Sequence, residues 1–470
     1  MLPPRGATNS LIGISDAFDV PVFVRRSTPL TPDARPKPSL VTGVVAPWPR
    51  AGVVPPSGAY RVGTTWRDVI DAATSVGRDR AAWLTSVPSL AWSEILARRS
   101  PLSAYLVRTR HRSSTGGTGF TLEPNVVYTD GTEVTARAAF GYRVGLTMAE
   151  WACRGLMGLG STVHAESHSP TGAGRGWSAT TGLPDLVGYH PSTGLPWLVE
   201  AKGAKRLGRP ALARGAEQLR QPGLMDGPHV KVLCGTSLTD RVFVTLDVEE
   251  DPGAPPSPPA GADDDRLHTL ALSRMLLYLA LVAMPRRDWS VLPVGSGVTE
   301  RGNRRGGIGV VTLLEEDRST MDVREAARRE NGNRDRRLDM LTGQVPGTDL
   351  VVGLSRRLFG ACAALARVEA EVAAEVDHEV PRPRSGAPEE EVASTDQERW
   401  LVKREVERRR WSDAVGRTRD GFDEGAGRSW EELLQSPVSF TPDPRPGFLE
   451  AATEDTYLAV DATAVSAVQR

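Results

Sequence analysis

The spacing of apolar positions changes period several times along the chain, and each change predicts an element. At 64–77, TTWRDVIDAATSVG puts Trp66, Val69, Ile70 and Ala73 on one helical face, with Thr64 or Thr65 as N-cap. From 135, in TARAAFGYRVGLTMAEWACRGLMG, Phe140, Val144, Thr147 and Trp151 recur at helical spacing, which predicts a long amphipathic helix. STVHAES (161–167) then alternates with the period of a strand, and PDLVGYH (184–190) is a second strand. The turn PSTG (191–194) reverses the chain into an antiparallel partner, PWLVEAK. RPALARGAEQLRQ (209–221) fits a helix with proline in its first turn, and HVKVLCGT and RVFVTLDV follow as β-branched-rich strands. The order over 135–250 is α-β-β-β-α-β-β, so an α/β core with a mixed sheet is expected.

Punctuation divides the rest. Eleven prolines fall in the first 60 residues, and proline lacks the amide donor that helix interiors and central strands need, so 1–58 is expected to be an extended arm. Residues 59–134 are expected to form a small, mainly helical module. DPGAPPSPPAGADDD (251–265) is a linker, and 266–378 is a helical and mixed domain that opens on the apolar helix 267–284. Residues 379–470 comprise a further linker, PRPRSGAPEEE, a helix of alternating charge at 395–411 with a solvated or partner-facing surface, and a C-terminal tail. There is no internal repeat.

Charge adds a constraint. Basic residues number 57 and acidic residues 58, so no chain-wide basic field steers nucleic acid, and any such contact needs a local patch. The start, MLPPRGATNS, lacks the pattern of a secretion signal, and Cys153, Cys234 and Cys362 are far apart, which together predict a reducing, cytoplasmic compartment. The longest uncharged apolar run, MLLYLALVAM at 275–284, is about half of the ~20 residues a bilayer span requires. Only five of the 57 basic residues are lysines, so generic positive charge in this chain is written as arginine.

The chemistry concentrates in PDLVGYHPSTGLPWLVEAKG (184–203). Side chains alternate across a strand, so Glu200, Lys202 and Leu198 share one face while Val199 and Ala201 turn to the other, and Asp185 sits across the hairpin. Two facing carboxylates at an open strand end repel unless a cation lies between them, and Mg²⁺ with its demand for oxygen ligands resolves that. A neighbouring ammonium could orient a bound water, which makes metal-assisted hydrolysis the expected chemistry. The competing reading of the three residues is a cross-strand ion pair on a solvated sheet face.

Pro184-Asp185 followed after fourteen residues by Glu200-Ala201-Lys202, behind a helix and a strand and ahead of a helix, resembles the PD-(D/E)XK nuclease superfamily. The resemblance covers roughly 110 residues. It implies a restriction-endonuclease-like core and a phosphodiesterase dependent on Mg²⁺, for which Mn²⁺ can substitute. It further implies that Asp185 and Glu200 are metal ligands, that Ala201 offers its carbonyl, and that Lys202 is catalytic. Glu150 on the first helix and Gln218 on the later one match accessory positions of that family, although an exposed helix position and a bridge to the sheet explain them equally well.

His164, Glu166 and His168 read as scattered polar residues of an outer strand, and TGAGRGW links two strands and opens no helix, so it is no nucleotide fingerprint. Segment 202–220 carries six basic residues against Glu217 alone, and Lys205, Arg206, Arg209 and Arg214 are its candidate phosphate contacts, DNA being expected over RNA. The expected activity is a nuclease of the restriction, phage-defence or repair type. The alternative is a nuclease-fold scaffold that binds nucleic acid or a protein without turnover.

Overall fold

In the computed structural model of the protein, the residues described are 12–14, 16–30, 46–49, 52–77, 84, 87–112, 118–167, 182–190, 193–221, 224–249, 262–285, 288–292, 311–312, 340–383, most of 385–410, 448–452 and 456–461. In chain order the first elements are β1 (Ala17–Arg26), β2 (Ala46–Pro47), β3 (Gly58–Thr65), α1 (Trp66–Ser75), α2 (Leu90–Tyr105), β4 (Leu106–Arg112) and β5 (Thr118–Pro124). There follow α3 (Val134–Gly155), β6 (Val163–His164), β7 (Leu186–Tyr189), β8 (Pro196–Ala204), α4 (Arg209–Leu219), β9 (Val230–Leu238) and β10 (Val242–Glu249). The expected α-β-β-β-α-β-β order over 135–250 is therefore the observed one. Its first strand is shorter than 161–167, because the chain leaves β6 after His164 into a single 3₁₀ turn, Ala165–Ser167.

These elements form a mixed ten-stranded sheet with a spine β2-β3-β1-β10-β9-β8-β7-β6, from which β5 and β4 branch at β1. Here the expected boundaries at 58 and 134 give way. Part of the proline-rich arm is β1, which lies inside the sheet, antiparallel to β3 and parallel to β10. Phe18, Val20, Val22 and Val24 alternate inward and are buried to 3% exposure or less, a period-2 signal that outweighs Pro21 within the same strand. The module at 59–134 is likewise half strand: β3, β4 and β5 join the sheet beside the helices α1 and α2. Thr65 caps α1 through a reciprocal box with Asp68.

Both faces of the sheet are covered around β8. Val199 and Ala201 face a core shared with α3, whereas Leu198 packs with Leu212, Ala216 and Leu219 of α4 and with Leu233 of β9. The side-chain alternation expected for β8 is thus the observed one.

The chain continues through α5 (Ala262–Ala283), β11 (Trp289–Leu292), β12 (Val311–Thr312), β13 (Met340–Gln344), β14 (Leu350–Ser355), α6 (Arg356–Glu379), β15 (Phe448–Ala452) and β16 (Thr456–Asp461). The last residues of the expected linker 251–265 belong to α5, and 251–261 lie outside the described residues. A second, six-stranded sheet runs β12-β11-β13-β14-β16-β15, so the expected C-terminal tail contributes two of its strands. α5 ties the halves together, with Trp92 of α2 donating its indole N–H to the Ala280 carbonyl at 2.7 Å.

The charged helix at 395–411 was expected to face solvent or a partner. Most of its described positions are exposed, and two of its arginines also pair within the chain: Arg399 with Asp377 and the Val380 carbonyl, and Arg410 with Glu371 and Glu375 of α6 at 2.6 and 2.7 Å. Opposite charge on α6 supplies the reason. All three cysteines are free and buried, and burial pushes the Cys153 and Cys234 thiols up. Among the described residues no helix is long and apolar enough to cross a membrane.

Candidate active site at the end of a short strand

β7 pairs antiparallel with β8 only from Leu186↔Val199 to Tyr189↔Pro196, while β8 runs on to Ala204. Beyond Val199 the strand therefore has a free edge on the β7 side, and the amide of Ala201 would lack a ladder partner there. The Asp185 carboxylate fills the place: its Oδ2 accepts from the Ala201 N–H at 2.8 Å. The Asp185 carbonyl accepts from Ala165 N at 3.1 Å, and Gln218 donates its side-chain amide to the Leu183 carbonyl at 2.9 Å, so both flanks of the Pro184-Asp185 step are fixed. The N–H and C=O of a strand residue point to the same side, which puts the Ala201 carbonyl on that open edge too.

Glu200 is 1% exposed. Its Oε1 accepts a hydrogen bond from Lys202 Nζ, while Oε2 has no hydrogen-bond partner among the described residues. Burial and then the charge of Asp185 push its pKa up to about 7, against the opposing pull of Lys202. Burial also raises the Asp185 carboxyl, opposed by the Ala201 amide, Lys202 and His164, and reinforced by Glu166. Burial and Asp185 thus hold the Glu200 carboxyl up at one strand end, with the Lys202 ammonium on one oxygen of Glu200 and the other oxygen buried without a hydrogen bond among the described residues. A divalent cation between the two carboxylates would relieve the repulsion and satisfy that oxygen, so the donor set fits such an ion. Among the described residues no group of three or more His, Cys, Asp or Glu side chains converges as a metal cage.

Asp185, Glu200, Ala201 and Lys202 therefore meet, with Gln218 on the Leu183 carbonyl lining the cleft beside Asp185, whereas Glu150 does not join them. It is fully buried on α3, where it accepts from the backbone N–H of Thr162 at 3.2 Å and from the Thr162 hydroxyl, and pairs with Arg154 at 3.7 Å. Arg154 in turn holds Asp71 of α1 at 2.6 Å, so Glu150 belongs to a buried ionic cluster that knits α1 to α3. It is neither the expected exposed helix position nor a neighbour of Asp185.

A cleft of about 1070 Å³ opens in front of Asp185 and runs across α3 towards α1 and α2. Asp185 and Gln218 line it beside four residues that pattern alone did not single out as site members: Tyr142, Arg143, His164 and Glu166. The 3₁₀ turn takes Glu166 out of the outer strand β6, which keeps His164, and the Glu166 amide donates to His164 Nδ1 at 3.3 Å, so both residues line the cleft. His168 lies outside the described residues, as does all of TGAGRGW.

Glycines set the depth of the site. A Cβ on Gly145 of α3 would stand 2.8 Å from Gly203 N, and one on Gly203 would run into the Gly141 carbonyl, so helix and strand touch backbone to backbone immediately after Lys202. On the opposite face, a Cβ on Gly215 of α4 would lie 2.6 Å from Leu233 Cδ1 and 3.2 Å from Lys202 Cε. The signal was present in the sequence as G-x-x-x-G at 141–145, a spacing that marks close helix approach.

Lys205, Arg206, Arg209 and Arg214 are all exposed, and none lines the cleft. Lys205 donates to the Thr129 carbonyl at 3.3 Å. No family model, curated protein or solved structure matches the chain.

Proposed function

We propose that the protein is a divalent-metal-dependent nuclease that hydrolyses phosphodiester bonds, in DNA before RNA, and that α3 to β9 is a restriction-endonuclease-like core widened by the N-terminal strands. One observation carries this reading: Asp185 and Glu200 share a strand end, with Lys202 on one oxygen of Glu200 and the other oxygen buried without a hydrogen-bond partner among the described residues.

In this reading Asp185, Glu200 and the Ala201 carbonyl hold Mg²⁺ or Mn²⁺. When bound, the ion activates a water and neutralises charge on the phosphate. The chain's own part is positional. The Ala201 amide and the Gln218–Leu183 bond fix the Asp185 carboxylate, and burial denies Glu200 any alternative solvation. Lys202, beside Glu200, would offer a compact ammonium to orient a water and to stabilise charge on the non-bridging phosphate oxygens.

The direct Lys202–Glu200 pair also favours a second reading, a scaffold that binds without turnover, because a carboxylate already neutralised has less need of a metal. Incubating the purified chain with plasmid in Mg²⁺, Mn²⁺ or EDTA separates the two. Cleavage in the metals and none in EDTA supports the nuclease, and intact plasmid throughout supports the scaffold.

A further inference from the structure

The buried side of α3 carries Phe140, Val144 and Trp151, as an amphipathic helix should, but its outer side is unusually apolar. Val134 is 72% exposed and Tyr142 is 52% exposed, and Ala138 lies exposed between them. Spacings of four residues put the three on one stripe about 12 Å long at ~1.5 Å per residue. At its far end the stripe meets a single π-helical turn, Val127–Gly131, where Val126 and Val127 are 65% and 49% exposed. At its near end Tyr142 lines the cleft with Asp185. The track therefore leads from open solvent to the candidate site.

Cations flank it. The Thr129 carbonyl accepts from Arg137 at 3.0 Å and from Lys205 at 3.3 Å, and exposed Arg206 follows Lys205. An apolar and aromatic stripe with positive charge along one side suits a ligand that carries bases on one side and phosphates on the other. Duplex DNA hides its base faces, whereas a single strand presents them for stacking.

We infer that a single-stranded nucleic-acid segment lies along this face of α3, its bases over Val134, Ala138 and Tyr142 and its phosphates towards Lys205 and Arg206, with Tyr142 the last stacking platform before Asp185. This rests on the nuclease reading and names its substrate form. The Gly141 and Gly145 contacts with Gly203 fix Tyr142, which lies between those glycines, relative to the strand that carries Lys202. The ring therefore positions the strand; it is not a catalytic group.

The test is fluorescence anisotropy of the full chain, in EDTA so that nothing is cleaved, with a labelled 20-nucleotide single strand and the same sequence as blunt duplex. The single strand should bind about tenfold more tightly, Tyr142→Ala should lose about tenfold of that affinity, and Tyr142→Phe, which keeps the stacking face, should stay within about twofold. Val134→Asp, at an exposed position, should weaken single-strand binding without shifting the thermal melt. Equal affinity for duplex, or an unchanged Tyr142→Ala isotherm, overturns the inference. So does a concentration-dependent dimer in sedimentation that Val134→Asp abolishes, which would give this face to a second copy of the chain. The two readings fail separately. Metal-dependent cleavage with indifferent Tyr142 variants leaves the nuclease and removes the track, whereas Tyr142-dependent binding without cleavage in Mg²⁺ removes the nuclease and leaves the track.

Discussion

The Asp185 carboxylate accepts the Ala201 amide at 2.8 Å, and this bond places a carboxylate where a strand would otherwise have run. Because β7 stops at Leu186, the edge of β8 is open at the point where Glu200 and Lys202 lie. The candidate chemistry is thus a consequence of strand lengths: two more residues of β7 pairing, as far as Pro184 opposite Ala201, would have spent the Ala201 amide on a ladder bond and closed the edge.

Asp185→Asn tests the charge apart from the bond, since an asparagine oxygen can still accept from Ala201. Cleavage in Mg²⁺ should fall by at least two orders of magnitude, about 3 kcal/mol in the barrier, with the melt little changed. Loss of fold and activity together would make Asp185 a structural brace. Undiminished cleavage would remove it from the site.

Glu200 yields a pH prediction whose sign can be worked out. Its folded pKa, near 7, stands above the unfolded value of 4.5, so between those values the native state binds more protons than the unfolded one, and stability falls as pH rises through that window. With no metal, Glu200→Gln should therefore stabilise the protein at pH 8, by on the order of 3 kcal/mol at most, and should give no gain below about pH 4.5. The same substitution should abolish metal-dependent cleavage. Thermal melts of both proteins in EDTA at pH 4.5 and pH 8 decide it, and a Gln variant less stable at pH 8 would show that the ionised pair with Lys202 holds the fold.

Much of this site was legible because β8 announces its own alternation. Glu200 and Lys202 fall on one face by parity, and the Pro-Asp step stands across a recognisable turn. The element order from α3 to β10 was legible for the same reason, with each segment keeping one period throughout. What the sequence concealed was long-range pairing. β1 hid among prolines because its partners in β3 and β10 are 34 to 48 and more than 200 residues away, and no local period records a partner. Glu150 looked like a site residue by position, but the burial of Arg154 and Asp71 around it is tertiary information. Tyr142 was passed over because an exposed aromatic on a helix gains meaning only when the cleft beside it is known.

Close approach makes Gly203 and Gly215 separable. Gly203→Ala sets a methyl against the backbone of α3, which cannot retreat, so it should destabilise by about 3 kcal/mol or more. Gly215→Ala meets Leu233 and the flexible end of Lys202, both side chains, so it should cost about 1 to 2 kcal/mol while displacing the Lys202 ammonium and lowering cleavage disproportionately. Denaturant melts beside single-turnover rates check both. Equal losses of stability would mean that α4 packs as rigidly as α3.

The exposed cations should act through phosphate alone. Neutralising Lys205, Arg206 and Arg209 together should weaken binding of every sequence alike and flatten the dependence of log K on log salt, by roughly 0.7 per lost contact on single strands. Isotherms from 50 to 300 mM salt would show it, and an unchanged slope would place the nucleic acid elsewhere.

Lys202→Arg is the substitution that separates catalysis from charge balance. If Lys202 serves only to neutralise Glu200, arginine should preserve fold and function, since charge and most of the aliphatic stem survive. The surroundings argue otherwise. Lys202 Cε runs close beneath Gly215, whose missing Cβ would stand 3.2 Å from it, so there is room for a methylene chain and little for a planar guanidinium. The bulkier group would have to fork onto Glu200 or Asp185, taking the oxygens that a cation needs, or swing into the cleft and displace the water it should orient. Folding should hold, because the Lys202 side chain is 28% exposed and can relax outward, and single-strand affinity in EDTA should hold because the ring of Tyr142 is untouched. Single-turnover cleavage should drop by two to three orders of magnitude, the loss of one transition-state donor worth about 3 to 4 kcal/mol. Near-native cleavage by Lys202→Arg would reduce the glutamate and lysine to an ion pair at a strand end.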